Sequence, residues 1–125
     1  MELVDGMDLL EFVNLKGKKG ENILRCVFMK AFRAVNDLHK SGIGHRDIKL
    51  GNLMLSYNFQ VKLVDFDLAY SISGEQNDGF CKAAVGSESY MAPEIIRGDK
   101  YQLADVDIFS LGVSLLTAVI EDYPF

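Results

Sequence analysis

From about Ala104 to Glu121 the sequence reads as a helix that is apolar on nearly every side. A helix of that kind in a soluble protein has to be covered on several faces. One cover is legible. Between about Glu21 and Lys40 the residues Leu24, Val27, Phe28, Ala31, Val35 and Leu38 recur at helical spacing and give a second helix one buried face. That face covers one side of the apolar helix, so its other neighbours are expected outside these residues. The longest apolar stretch runs from Ile108 to Ile120 and is broken by Ser110, Ser114 and Thr117. It is shorter than the roughly 20 residues a bilayer requires, and no membrane partner is expected.

The rest of the chain reads as short elements. Met1 to Val4 are extended and enter a turn at Gly6, and Asp8 suits the N-cap of a short helix through about Asn14. Lys16 to Gly20 form a loop. Ser41-Gly42 ends the long helix, because glycine tolerates the left-handed conformation at a C-terminus. Leu53-Met54-Leu55 and Gln60 to Val64 make two strands joined at Ser56-Tyr57-Asn58. Ala69 to Val85 reads as a mobile polar surface loop. Pro93 opens a short helix through Ile96.

Size and charge narrow the function. With 125 residues, 49% apolar and 25% charged, this is the composition of one globular domain. A net charge of −5 argues against a nucleic-acid surface. The acidic positions Asp5, Asp8, Glu11 and Glu21 read as solvated surface. Cys26 and Cys81 lack metal-ligand spacing. Cys26 falls in the long helix and reads as a small buried hydrophobe. With no visible signal peptide, the cysteine usage points to a reducing, cytoplasmic setting. Oligomeric state is not legible.

The chemistry gathers in His45-Arg46-Asp47-Ile48-Lys49-Leu50-Gly51-Asn52. This run puts a candidate base (Asp47), a cation (Lys49) and an amide ligand (Asn52) on one loop. Asp65-Phe66-Asp67 follows the second strand, so the hairpin lets Asn52 and Asp65 converge on one ion. Their oxygens suit Mg²⁺, a hard cation. Each residue alone reads more simply as a turn or cap. His39 reads as a favourable charge at a helix C-terminus.

Two further motifs, Ala92-Pro93-Glu94 and Asp107-Ile108-Phe109-Ser110-Leu111-Gly112, follow in order. With these four motifs the chain resembles the eukaryotic protein-kinase catalytic domain from its first residue to its last. The resemblance implies a mainly α fold with a small β-hairpin: a partial kinase-like fold holding the C-terminal lobe without the N-terminal one. The implied parts are a hinge (1–7), the first helices of the lobe (8–41), the catalytic loop (44–52), the activation segment (65–94) and the central helix (104–121).

The resemblance also implies roles. Asp47 and Lys49 are catalytic, Asn52 and Asp65 hold Mg²⁺, the backbone of Glu2 and Val4 meets adenine, Asp8 meets the ribose, and Met54 lies beneath the adenine ring. His45 and Phe66 belong to a packed stack, and Asp107 anchors the catalytic-loop backbone. Ser87 is placed to bond Asp47 and Lys49. Lys49 points to Ser/Thr acceptors in a protein substrate, with ATP as donor.

The chain departs from the family pattern in places. Asp67 and Gly51 stand where relatives carry Gly and often Glu, and Ala83 stands where many carry a phosphorylated Thr or Ser. There is no Gly-rich phosphate loop and no Val-Ala-Ile-Lys strand among these 125 residues. The chain is therefore expected to be an internal fragment, weakly active and poorly soluble alone. Two other readings stay open: a non-catalytic pseudokinase, favoured by Asp67, and a small-molecule phosphotransferase, which would lack Ala92-Pro93-Glu94.

Overall fold

A computed structural model describes residues 6–15 and 20–120. The readings made for Met1 to Val4, for Lys16 to Lys19 and for Glu121 lie outside them. The described residues open with strand β1 (Gly6–Asp8), so Gly6 lies in a strand and not in a turn. This strand pairs antiparallel with β3 (Leu53–Ser56), which pairs antiparallel with β4 (Val61–Leu63). The expected hairpin is thus two strands of a three-stranded sheet, with β3 in the centre and β4 at one edge. Three residues are too few to show a period of two, and the partner strand lies far along the chain. A Cβ on Gly6 would lie 2.0 Å from the Leu55 carbonyl oxygen, so only glycine lets the strands approach this closely.

Asp8 ends β1 and caps α1 (Leu9–Asn14), its Oδ1 accepting from the Glu11 amide at 2.8 Å. The long helix α2 spans Glu21–Lys40, as its periodicity predicts, and stops at Ser41 and Gly42, the latter at φ +89°. Strand β2 (Ile43–Gly44) follows and pairs with β5 (Tyr70–Ser71), so the stretch from Ala69 to Val85 is no mere surface loop. Ile72 donates to the Gly42 carbonyl at 2.9 Å. Cys81 and Tyr101 exchange backbone bonds of 2.8 and 2.9 Å. Those partners are remote in sequence, so local polarity could not reveal them.

The last helices are α3 (Pro93–Ile96) and α4 (Leu103–Ile120). The main core joins Val27, Phe28, Ala31 and Val35 of α2 to Leu53 and Leu55 of β3 and Leu111 and Ala118 of α4. Each Val, Leu or Phe side chain among them contributes about 1.5–3 kcal/mol on burial. A second cluster gathers Cys81, Ala92, Ile95, Tyr101, Leu103 and Val106.

The uncovered face expected of α4 is present: Ile108, Leu116, Val119 and Ile120 are between 42 and 57% exposed. At 18 residues α4 is long and apolar enough to cross a membrane, which corrects the shorter estimate from its longest apolar stretch. Asp107, Ser114 and Thr117, however, are buried within the protein. The two hydroxyls are satisfied by carbonyls one turn back, at 3.0 and 2.8 Å. Cys26 is exposed, contrary to expectation, because it lies off the Val27–Ala31 stripe of α2.

Candidate active site

The loop after β2 is held by a carboxylate from α4. Asp107, 1% exposed, accepts from the His45 amide at 2.8 Å through Oδ2 and from the Arg46 amide at 2.9 Å through Oδ1. His39, at the end of α2, places Nε2 2.8 Å from the same Oδ2. A buried carboxylate needs such donors, and these three satisfy it. The anchor role expected of Asp107 is visible in this geometry. The part of His39 was missed. Its place in the last turn of α2 gave a helix-dipole explanation that hid a partner 68 residues away.

Arg46 has φ +69°, a left-handed conformation that costs a side-chain-bearing residue about 1–3 kcal/mol. The Asp107 bonds offset that strain. The turn aims His45 inward and Asp47 toward Ser87. His45 is fully buried, with Nε2 2.9 Å from the Val64 carbonyl and Nδ1 accepting from the Asp47 amide at 3.1 Å. These partners assign the Nε2–H tautomer and occupy both ring nitrogens. The ring meets Phe66 edge-on, with centroids 5.1 Å apart, the expected stack.

Asp47 is the hub. Its Oδ1 accepts from the Ser87 hydroxyl at 2.8 Å and the Ser87 amide at 3.2 Å. Lys49 Nζ donates to the Ser87 hydroxyl at 3.1 Å. Asn52, nearly buried, donates Nδ2 to the Asp47 carbonyl at 2.8 Å and to its Oδ2 at 3.3 Å. With that nitrogen engaged, the amide oxygen is the atom Asn52 can offer a cation. The Val64 amide donates to the Asn52 carbonyl at 3.0 Å, and Asp65 is the next residue, so the two expected ligands flank one backbone bond. Asp65 sits at φ +60°, and the Asp67 amide points to its Oδ1 at 3.4 Å. The left-handed residue of this turn is therefore Asp65. Asp67 does not have positive φ, so the side chain that replaces glycine there adds charge without that strain.

Asp8 and Met54 are register partners across β1 and β3, which sets both on one face of the sheet. Glu2 and Val4 lie outside the described residues. Among the described residues no group of three or more His, Cys, Asp or Glu side chains is arranged for a metal. The candidate set is one amide and one carboxylate, an all-oxygen pair suited to a hard cation.

The protein kinase domain family matches residues 1–125. This chain belongs to the protein kinase family. Its kinase relatives include CBL-interacting serine/threonine-protein kinase 20 of Arabidopsis thaliana, 38% identical over the whole of this chain and 28% of the relative. The PAS domain-containing serine/threonine-protein kinase of Mus musculus is 37% identical over 96% of this chain and 8% of its own length. NUAK family SNF1-like kinase 1 of Homo sapiens is 35% identical over the whole chain and 18% of the relative. The chain thus spans less than a third of each of these kinases.

Proposed function

We propose that this chain is the catalytic-loop, activation-segment and central-helix portion of a serine/threonine protein kinase that transfers the γ-phosphate of ATP to a protein hydroxyl. The bridge from Asp47 through Ser87 to Lys49, with Asn52 on the other carboxylate oxygen, carries the reading. It sets a base and a cation side by side on a segment that can receive a peptide.

Asp47 accepts the proton of the Ser or Thr hydroxyl as its oxygen bonds to the γ-phosphorus and the bond to ADP breaks. Lys49 neutralises charge on the transferred group as a point cation. Asn52 and Asp65 would hold Mg²⁺, which supplies charge neutralisation at the phosphates. Asp8 and Met54 serve the ribose and adenine, with the backbone of Glu2 and Val4 at the hinge. The intact set of Asp47, Lys49, Asn52 and Asp65 favours catalysis over a purely regulatory role.

The parts fall as hinge 1–7, helices 8–41, catalytic loop 44–52, activation segment 65–94 and central helix 104–121, all of the C-terminal lobe. Residues 1–125 alone carry no Gly-rich loop and no strand Lys, and they are expected to transfer little phosphate by themselves. The test uses the full-length protein with Mg²⁺, ATP and a serine peptide. Asp47→Asn should lower the rate by about 10²–10⁴-fold, the usual contribution of a positioned base. An undiminished rate in that variant would sink the proposal.

A further inference from the structure

Ser87 is held against Asp47 by its own hydroxyl and amide, at 2.8 and 3.2 Å, so the segment that leads to it has to be ordered. Ala83 has no hydroxyl to phosphorylate. Arg46 is engaged elsewhere: Nε donates to the Leu68 carbonyl at 2.7 Å, and its guanidinium lies 4.9 Å from the centre of the Tyr70 ring. The side chain that reaches this stretch is Glu75. Its Oε1 accepts from the Lys82 amide at 3.0 Å and the Ala83 amide at 2.9 Å.

The loop is closed to make that reach. The Glu75 amide donates to the Phe80 carbonyl at 3.2 Å, and the Gly79 amide to the Ser73 carbonyl at 2.7 Å. Gly74 turns at φ +89°, where a Cβ would lie 2.3 Å from the Phe80 oxygen. From the other side, the Tyr101 hydroxyl donates to the Ala83 carbonyl at 2.5 Å. The N–H of Ala83 is thus held by Glu75 and its C=O by Tyr101. After Ala84 and Val85 come Gly86 and Ser87, with Gly86 close against the Arg46 carbonyl.

We infer that Glu75 is a positioning residue, a resident carboxylate that holds residues 82–83 and through them Gly86-Ser87 in the substrate-receiving arrangement without phosphorylation of this segment. The amides of Lys82 and Ala83, aided by the field of Arg46, hold the Glu75 carboxyl below the ordinary glutamate range, so it is ionised at neutral pH. Hydrogen bonds to a charged acceptor are stronger than neutral ones. The consequence for catalysis rests on the kinase reading, whereas the ordering of the segment does not.

The experiment uses full-length protein treated with phosphatase, as wild type, Glu75→Ala and Glu75→Gln, each checked for an unchanged melting temperature. Limited trypsin cleavage at the Lys82–Ala83 bond is followed by mass spectrometry. Glu75→Ala should be cut about fivefold faster than wild type, with Glu75→Gln between them because it keeps an acceptor oxygen. Equal cutting of wild type and Glu75→Ala overturns the inference.

In peptide phosphorylation, the peptide KM should rise about fivefold in Glu75→Ala while the ATP KM holds. An unchanged peptide KM, or a wild-type rate that falls after phosphatase treatment, overturns it equally. A wild type with no Asp47-dependent transfer would refute the kinase reading. The cleavage rates would then still decide whether Glu75 orders the segment.

Discussion

Asp107→Asn changes one atom and tests the anchor of the catalytic loop. The carboxylate accepts two backbone amides and faces the His39 ring, all within 2.9 Å, at a position 1% exposed. An asparagine keeps one acceptor oxygen and sets an NH₂ group against at least one donor. The variant therefore loses one or two charge-assisted bonds and buries an unmatched donor, a cost of about 3 kcal/mol. The Arg46 turn at φ +69° loses its compensation at the same time.

Three kilocalories are a large share of the roughly 5–15 kcal/mol that stabilise a domain. Urea unfolding of the full-length protein gives the loss, and hydrogen exchange at the His45 and Arg46 amides locates it. Arg46→Gly supplies an internal control, since glycine adopts positive φ without penalty. In that background the cost of Asp107→Asn should shrink. A stability change under about 0.5 kcal/mol, with both amides still protected, would refute the reasoning.

Three further outcomes are expected. Gly86→Ala would place a Cβ 2.6 Å from the Arg46 carbonyl at φ +112° and should cost about 2 kcal/mol with a matching loss of peptide phosphorylation; Gly51→Ala, with nothing within 4 Å, should stay within about 0.5 kcal/mol in the same denaturation assay. Burial pushes the Cys81 thiol up, so less of it is thiolate at neutral pH; iodoacetamide should label exposed Cys26 first, and equal labelling read by mass spectrometry would contradict this. Because its folded-state pKa is depressed, the Glu75 contribution is fully present above the unfolded value and lost as pH falls through the lower folded one; protection of the Ala83 amide, read by hydrogen exchange, should therefore persist through the ordinary glutamate range and weaken only as the pH is brought below it.

What the residues alone disclosed follows the range of the forces involved. The helix Glu21–Lys40 was legible to its last residue because a helical period sustained over 20 residues is a local signal, and the Asp8 cap because its acceptor lies three residues from its donor. The loop around Asp47 was legible as an ordered motif. Strands β1, β2 and β5 were not: with two or three residues each they carry no period, and each is made by a partner elsewhere in the chain. The exposure of Cys26 was missed for a related reason. Its small side chain suits a core or a surface, and only the direction of the buried stripe decides between them.

The same distinction separates the two kinds of carboxylate in this site. Asp47 carries its role in its neighbours along the chain, where Lys49 and Asn52 stand two and five residues away. Asp107 was legible only through the motif it opens, and Glu75 acts on amides whose sequence neighbourhood says nothing of it. Asp107 reaches across 61 and 62 residues, and Glu75 reaches across a turn that depends on Gly74. A carboxylate that does chemistry has to be surrounded by other reactive groups, so a motif forms. One that holds backbone needs only two N–H groups at the right distance, and every residue but proline offers one. A positioning residue that stands outside any motif, as Glu75 does, is for that reason the last part of such a site to become visible, and substitution at Glu75 or Asp107 should show as displaced geometry before it shows as altered chemistry.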